Sequence, residues 1–303
     1  MKGFRNILVP LDRSEIAEQA VSVAASIARR SGGTLNLVSV NEHLPAFAFA
    51  SDSLEIVRET EEASHKDLAD YLGSIAVAVR DVQEGMVETA VLEGSPAAAL
   101  SRYAEASAVD LIVMTTRGRR GLGRWLIGSV ADEVLRRVHV PALLLHPRDP
   151  PWALHFRKLL VGLDGEIEEP VLRSAIALGS LYAPTSYTLA RVVEPPLPMM
   201  TPLSPCPVMV EPERLEHLEA EARTYVEGVS DRLRTQGLNS SWEVRVGGVA
   251  TRILELAETT LADCIVVGTH SRRGLDRLVL GSEAERIVHA ATLPVLIAPV
   301  RDQ

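Results

Sequence analysis

Cysteine and aromatic residues are scarce in this sequence. The chain has 303 residues, of which two are cysteines and 4% are aromatic. Cys206 and Cys264 lack the spacing of a zinc site or a disulfide framework, which excludes a fold built on cross-links. Cys264 lies in the apolar run CIVVG, which predicts a core position. With so few aromatic residues, the cores must consist of Val, Leu, Ile and Ala.

The sequence also lacks a basic segment and a long apolar run. Residues 1–150 contain 16 basic and 20 acidic residues (−4), and residues 151–303 contain 15 and 20 (−5). Nucleic-acid binding is therefore not expected. No run reaches the roughly 18 apolar residues of a membrane span, so no membrane partner is expected. The N-terminus, MKGFRNILVPLD, lacks the apolar stretch of a signal peptide. These absences favour a cytoplasmic protein.

What the chain does have is an internal repeat at an offset of 152 to 153 residues. The segment NILVPLDRSE (6–15) matches KLLVGLDGEI (158–167). The segment VDLIVMTTRGRRGL (109–122) matches ADCIVVGTHSRRGL (262–275). One residue of drift over a whole repeat indicates two copies of one domain.

The boundary between the copies falls in 146–158, where three prolines predict a short stiff linker. We therefore define domain 1 as 1–149 and domain 2 as 156–303. In each domain, short apolar runs alternate with amphipathic segments, which predicts parallel strands connected by helices. The expected fold class is α/β, with a doubly wound five-stranded parallel sheet in each domain.

Several residues mark helix ends in domain 1. Ser14 is placed to cap the first helix, and Gly32 and Gly33 are placed to end it. A later helix is expected to start with Ser95 as its cap and Pro96 in its first turn.

Domain 2 departs from the plan at 195–212, where seven prolines predict a long loop without regular strand or helix. One interpretation is a solvated insertion. The other is a lid or an interaction surface, because Met199, Met200 and Met209 are suited to adaptable apolar contacts.

The loop 115–130 leaves a predicted strand and enters a helix at Gly128 and Ser129. The first turn of a helix carries unpaired N–H groups and the positive end of the helix dipole. Small residues there let an anion approach the backbone. Gly118 can take a positive φ and help form an N–H-lined concavity. The pattern therefore predicts a phosphate-facing loop.

Side chains around this loop fit the same chemistry. Ser129 can donate to a phosphate, Arg117 or Arg119 can add positive charge, and Asp12 can accept from a ribose or hold Mg²⁺. A structural interpretation is equally open, in which the glycines make turns, Ser129 caps a helix and the arginines are solvated. The sequence has neither a Walker A motif nor a GxGxxG after its first strand, which argues against P-loop and dinucleotide-binding enzymes.

The aspartate after the first strand, the glycine loop and the proline of the fifth strand together resemble the universal stress protein family. The resemblance applies to both copies and implies the adenine nucleotide alpha hydrolase-like fold. Family members that bind ATP carry Gly, two residues, Gly, nine residues and then Gly-Ser or Gly-Thr. In domain 1 the resemblance implies a nucleotide site at Asp12, Val40, Thr115, Gly118, Gly128, Ser129 and Val130, with Val40 contacting adenine through its backbone.

Each copy departs from the family motif at a different position. Thr115 replaces the first glycine in domain 1, and Ser271 replaces the second glycine in domain 2. Glu283 places a carboxylate where phosphates would lie, whereas domain 1 has Val130. The resemblance therefore implies a weaker second site at Asp164, Val192, Gly268, His270, Ser271, Gly281 and Ser282. His270 either contacts the ligand or makes a local turn.

Family members often pair through their fifth strands. Here Pro141–Leu145 and Pro294–Ala298 are expected to pair within one chain, as a pseudo-two-fold dimer, because pairing covers two sheet edges. A homodimer of whole chains is left open.

Two functions follow from these features. The first is a cytoplasmic stress-response regulator or sensor that binds ATP or a related adenine nucleotide, with Mg²⁺, mainly in domain 1. It is not expected to be an enzyme beyond slow incidental ATP hydrolysis, because no residue has the setting of a general base. The alternative is a nucleotide-free scaffold that binds a partner through 195–212.

Overall fold

The core of the protein consists mainly of Val, Leu, Ile and Ala, as the composition predicted. Cys264 is fully buried, which confirms its predicted core position, and burial raises the pKa of its thiol. The computed structural model describes residues 3–42, 54–82, 85–118, 125–126, 128–147, 155–165, 169–195, 199–201, 204–208, 212–269 and 281–300.

Domain 1 alternates strands and helices, as its apolar pattern predicted. Its elements in chain order are β1 (Asn6–Pro10), α1 (Glu15–Ser31), β2 (Thr34–Asn41), α2 (Leu54–Val82), β3 (Met86–Glu93), α3 (Pro96–Ala106), β4 (Leu111–Thr115), β5 (Arg117–Gly118), β6 (Trp125–Leu126), α4 (Ser129–Arg137) and β7 (Ala142–Leu145).

Domain 2 repeats this order except for its two short strands, which follow its second sheet strand. Its elements are β8 (Lys158–Leu163), α5 (Glu169–Ser180), β9 (Ser186–Val193), β10 (Met199–Thr201), β11 (Ser204–Val208), α6 (Pro212–Thr235), β12 (Asn239–Val246), α7 (Val249–Thr259), β13 (Cys264–Gly268), α8 (Ser282–Ala290) and β14 (Val295–Ala298).

The described residues form a ten-stranded sheet in the order β12-β9-β8-β13-β14-β7-β4-β1-β2-β3. Five neighbouring strands come from each domain, and all pairs within a domain are parallel. Each sheet face carries one hydrophobic cluster, and both clusters contain residues from both domains. The predicted doubly wound five-stranded domains are therefore confirmed.

The two domains join through their fifth strands. β14 pairs antiparallel with β7, with Val295 opposite Leu144 and Leu296 opposite Leu143. These four side chains are fully buried. The expected pairing within one chain is thus present, and it removes a sheet edge from each domain.

The signals at the ends of α1 are confirmed. The Ser14 hydroxyl accepts from the Ala17 N–H at 3.1 Å, and Gly32 takes the left-handed conformation that ends the helix. The prediction for α3 is half wrong. Pro96 begins the helix and Ser95 is at the N-cap position, but the Ser95 side chain makes no capping hydrogen bond. Proline at the first position has no N–H, so the cap has one donor fewer to satisfy.

The prediction of an irregular loop over 195–212 is wrong. β10 and β11 form an antiparallel hairpin, with Met199 opposite Val208 and Thr201 opposite Ser204. Pro205 and Pro207 both lie in β11. Successive strand residues direct their N–H positions to opposite sides, so Pro205 and Pro207, two residues apart, share one side. An isolated hairpin leaves one side of each strand unpaired, so it tolerates both prolines.

A second contact between the domains lies between α1 and the end of α5. The Arg30 guanidinium is 4.4 Å from the centre of the Tyr182 ring and donates to the Leu181 carbonyl at 3.2 Å. The Ser26 hydroxyl lies 3.3 Å from the Tyr182 hydroxyl.

Among the described helices, none is long and apolar enough to cross a membrane.

His146 links the two domains at the end of β7. It is 2% exposed, and its Nε2–H donates to the Val288 carbonyl of α8 at 2.7 Å. Burial lowers the pKa of His146, the carbonyls of Val288 and Leu293 oppose this shift, and the nearby His289 adds to it. His289 itself lies 3.5 Å from Glu285. The folded protein therefore favours neutral His146.

We predict that stability falls as the pH drops below about 6.5, the ordinary pKa of an unfolded histidine. In that window the unfolded chain binds a proton that folded His146 does not, so the free energy of unfolding falls by at most about 1.4 kcal/mol per pH unit. Urea denaturation at a series of pH values measures this slope. His146→Gln keeps a donor but cannot titrate, and it should flatten the slope. An unchanged slope in this variant would contradict the assignment.

Candidate functional site

The predicted site residues of domain 1 gather at one edge of the sheet. Asp12 follows β1, Val40 lies near the end of β2, and Thr115 ends β4. These three strands are parallel neighbours, so their carboxyl ends lie at the same edge. The chain leaves β1 toward β2 and later crosses to β4 on the other side. Ligands of open α/β sheets bind at such a reversal of strand order.

The start of α4 lies in the connection that follows this edge. Gly128 is at the N-cap position and, as a glycine, has no side chain to cap the helix. Ser129 is the first helical residue and is exposed, so the interpretation that Ser129 caps the helix is wrong. Val130 is half-buried and packs against the core. A glycine at the N-cap offers the N–H groups of the first turn no side-chain acceptor of its own, which suits an incoming anion.

The loop between β4 and α4 is not the turn that was predicted. Arg117 and Gly118 form β5, which pairs antiparallel with β6. The backbone at Gly118 is therefore part of a two-stranded antiparallel pair. Arg119 lies outside the described residues.

The carboxylate of Asp12 contributes to the start of α1. Its Oδ1 accepts from the Ser14 N–H at 3.1 Å and from the Ser14 hydroxyl at 2.5 Å. Arg13 between them has φ of 63°, a conformation that costs a non-glycine residue about 1–2 kcal/mol. The turn thus fixes Asp12 at the carboxyl edge of the sheet.

Thr115 and Gly268 occupy equivalent positions with different surroundings. A Cβ at Gly268 would lie 2.9 Å from Val300 Cγ2 and 3.0 Å from Val171 Cγ2. The first motif glycine of domain 2 is therefore required for packing between α5 and the chain after β14. In domain 1 the half-buried Thr115 fits in the extended strand opposite Leu145.

The residue after each of these positions is a buried threonine that the sequence analysis missed. The Thr116 N–H donates to the Leu145 carbonyl at 2.8 Å, and the Thr269 hydroxyl accepts from the Val300 N–H at 3.0 Å. Both threonines fasten the start of the loop to the fifth strand. Their shared place in the repeat, after LIVMT and CIVVG, was the available signal.

Domain 2 repeats the geometry of the edge with other residues. Asp164 follows β8, and Val192 lies near the end of β9, where it is buried. Gly281 is the N-cap of α8, and Ser282 is its exposed first residue. The predicted site residues His270 and Ser271 lie outside the described residues.

Glu283 has partners that the sequence did not indicate. Its Oε2 accepts from the Ala250 N–H in the first turn of α7 at 3.0 Å, and its Oε1 accepts from Arg286 at 2.5 Å. The carboxylate therefore caps a neighbouring helix. It still places negative charge at the start of α8, where Glu285 adds a second carboxylate.

A cavity in domain 2 is lined by Val192 of the predicted second site and by further residues that the sequence analysis missed. It has a volume of about 440 Å³ and lies at the end of β9, against α6 and the start of α7. Arg191 and Tyr225 contribute polar groups to it. A signal was available in the repeat, because Arg191 stands where domain 1 has Ser39.

Among all the described residues, no group of three or more His, Cys, Asp or Glu side chains could hold a metal ion.

Comparisons with known proteins agree with this repeat. The model of the Universal stress protein family matches residues 3–146 and again 155–299. A universal stress protein of Mycolicibacterium smegmatis is 26% identical over 97% of this chain and 97% of its own length. One from Thermus aquaticus is 30% identical over 47% of this chain and 98% of its own length.

Solved structures show the same fold. The crystal structure of a universal stress protein from Archaeoglobus fulgidus matches with a TM-score of 0.73, over 97% of each chain, at 16% identity. A structure from Pseudomonas aeruginosa, described as a putative universal stress protein, has a TM-score of 0.65 over 98% of this chain and 94% of its own, at 18% identity.

We predict that Gly268→Ala destabilises the protein by about 1–3 kcal/mol, the usual cost of overpacking a core. The added methyl group would press on Val171 and Val300. Thr115→Ala is the matched control, because it removes atoms at the equivalent position of domain 1. Urea denaturation followed by circular dichroism measures both. Equal losses for the two variants would contradict the packing role of Gly268.

Proposed function

The chain belongs to the universal stress protein family, and from that premise we propose that it is a cytoplasmic stress-response regulator or sensor. Its ligand would be ATP or a related adenine nucleotide, bound by domain 1. The observation that carries this proposal is the start of α4, where the N-cap residue Gly128 gives the first-turn N–H groups no side-chain hydrogen bond and Ser129 is exposed. This helix start follows the edge where the strand order reverses.

Each residue of this edge has a role in the proposal. The N–H groups of the first turn of α4 would bind phosphate oxygens, and the Ser129 hydroxyl would donate to one of them. The Asp12 carboxylate would accept from a ribose hydroxyl or bind the Mg²⁺ that accompanies the phosphates. The backbone of Val40 would contact adenine, as the family resemblance implies.

The backbone conformation of Thr115 is compatible with this role, although its Cβ lies where the family brings bare backbone close to the nucleotide. The concern with a branched residue at this position is that it tolerates a positive φ poorly. Thr115 is the last residue of β4 and pairs with Leu145, so its backbone is extended. The position therefore does not need the conformational freedom of the glycine that the family motif carries.

Domain 1 is the better nucleotide site because of charge. The first turn of α8 in domain 2 carries Glu283 and Glu285, and the corresponding turn of α4 has Asp132 and the uncharged Val130. Carboxylates beside a bound phosphate repel it and weaken its binding, most strongly where solvent is excluded.

We infer that the protein acts by binding and not by catalysis. Among the described residues, His146 and Cys264 are buried within the packed structure. His65, which is exposed, lies 2.8 Å from Glu93 at the far side of β2. These placements favour a regulator over an enzyme.

We predict that Ser129→Ala weakens binding of a fluorescent ATP analogue by about tenfold in the presence of Mg²⁺, because a hydrogen bond to a charged group contributes about 1.5–3 kcal/mol. Ser282→Ala, the same change in domain 2, should leave the affinity unchanged. Titration of the intact purified protein measures both. A flat titration of the unmodified protein would refute nucleotide binding.

A second variant tests the charge argument. Val130→Glu gives domain 1 the residue of domain 2 and should weaken the ATP analogue more than tenfold. A carboxylate in the first turn favours a helix, which offsets part of the lost packing of Val130 against the core. Val130→Gln introduces a side chain of the size of glutamate without its charge. This variant should bind the ATP analogue with an affinity within a few-fold of that of the unmodified protein. Equal affinities of the two variants would show that charge at this position is irrelevant.

A further inference from the structure

The cavity of domain 2 is built differently from the equivalent region of domain 1. Its floor and walls include Val192, Val193, Ala222 and Val249. Its volume of about 440 Å³ lies within the range of small-molecule sites, about 300–1,000 Å³. In the sheet order, six strands separate β9 from β2, so this cavity is remote from the nucleotide site proposed for domain 1.

Tyr225 brings an unused hydrogen-bond donor to this cavity. Its hydroxyl oxygen is buried and has no hydrogen-bond partner among the described residues. The equivalent residue of domain 1 is Tyr71, since each tyrosine directly precedes a fully buried core residue of its helix. The Tyr71 hydroxyl donates to Glu18 at 2.9 Å. A buried polar group without a partner costs about 1–3 kcal/mol, so its retention calls for an explanation.

The missing acceptor can be traced in the sequence. Glu18 lies six residues after Asp12, and the residue six positions after Asp164 is Pro170. Proline has no side-chain acceptor. Domain 2 therefore keeps the tyrosine and lacks the carboxylate that satisfies it in domain 1.

Arg191 adds a positive charge to the same cavity. It replaces the buried Ser39 of domain 1, whose hydroxyl donates to the Leu11 carbonyl. A Cβ at Gly165 would lie 3.3 Å from Arg191 Nε and 3.4 Å from its Cζ, so the guanidinium packs across a glycine. The hydrogen bond that the described residues give Arg191, to the Leu163 carbonyl, is long at 3.5 Å. Its donors are therefore weakly used.

The phenol of Tyr225 is protonated at neutral pH. Burial and, to a lesser extent, the charge of Asp164 raise its pKa to about 12, and Arg191 acts in the opposite direction. Tyr225 and Arg191 thus present two donors to the cavity. Glu194 and Glu221 line it as well and are exposed. Their charge opposes a polyanion such as a triphosphate more than a single oxyanion.

We propose that the domain 2 cavity binds a small organic oxyanion with an apolar body, whose acidic oxygens accept hydrogen bonds from Tyr225 and Arg191. A carboxylate and a phosphate monoester share this chemistry. The apolar body packs on the valines of β9 and on Ala222. The two copies of the repeat then hold different ligands, a nucleotide in domain 1 and a smaller acid in domain 2.

Calorimetric titration of the full chain tests this site with 1-naphthoate, 1-naphthyl phosphate and the neutral 1-naphthamide. Binding of either acid at least tenfold more tightly than the amide is expected, and the two acids show which oxyanion is preferred. Tyr225→Phe and Arg191→Ser should each weaken the preferred acid about tenfold or more, which corresponds to loss of a hydrogen bond to a charged group. Tyr71→Phe is the matched control and should leave binding unchanged.

Melting temperatures without ligand separate loss of the site from loss of the fold. Tyr71→Phe removes a satisfied hydroxyl and should lower the melting temperature, whereas Tyr225→Phe removes an unsatisfied one and should not. The site is refuted if neither acid binds, or if Tyr225→Phe and Arg191→Ser bind the acid as the unmodified protein does. It is also refuted if these two variants weaken the fluorescent ATP analogue instead. Failure of the analogue to bind domain 1 leaves the naphthoate result unaffected.

Discussion

The antiparallel pairing of β7 with β14 is the contact on which the rest of the structure depends. Each five-stranded sheet would otherwise end in an edge strand with a row of unpaired backbone N–H and C=O groups. The pairing makes one sheet with a continuous hydrophobic cluster on each face. It also sets the two domains about a pseudo-two-fold axis, with His146 and Tyr182 forming further contacts between them.

Within this shared frame, the two copies have diverged by exchanging the partners of a few polar groups. Tyr71 has Glu18, but Tyr225 has lost the corresponding acceptor to Pro170. A carboxylate at the start of α8 caps the neighbouring helix at Ala250, where domain 1 has a valine. Such changes cost the fold little stability, because the apolar pattern of the strands is kept. They alter which charges and donors reach the carboxyl edge, and hence which ligand each domain suits.

The sequence predicted the fold well because each signal was local. Apolar runs of four or five residues specified strands, and Ser14 and Gly32 specified the ends of α1 through contacts within a few residues. The prediction failed where the pairing of backbone groups between separate segments, or a strand side left unpaired, decided the local structure. Prolines in 195–212 indicated a loop, but an isolated hairpin has a free side on each strand and accepts them. One interpretation made Ser129 a cap, yet Gly128 is the N-cap and Ser129 is the first residue of the helix.

The sequence by itself determined the duplication, the alternation of strands and helices, and the positions of Asp12, Gly128 and Ser129 near one sheet edge, since the repeat period and the apolar spacing encode them. Only the tertiary structure decided that Gly268 is kept for packing against Val171 and Val300. It alone placed Arg191 and Tyr225 in one cavity. These residues lie far apart in the chain, on a strand and on a helix, and side chains from separate elements meet only when the packing of the elements is complete.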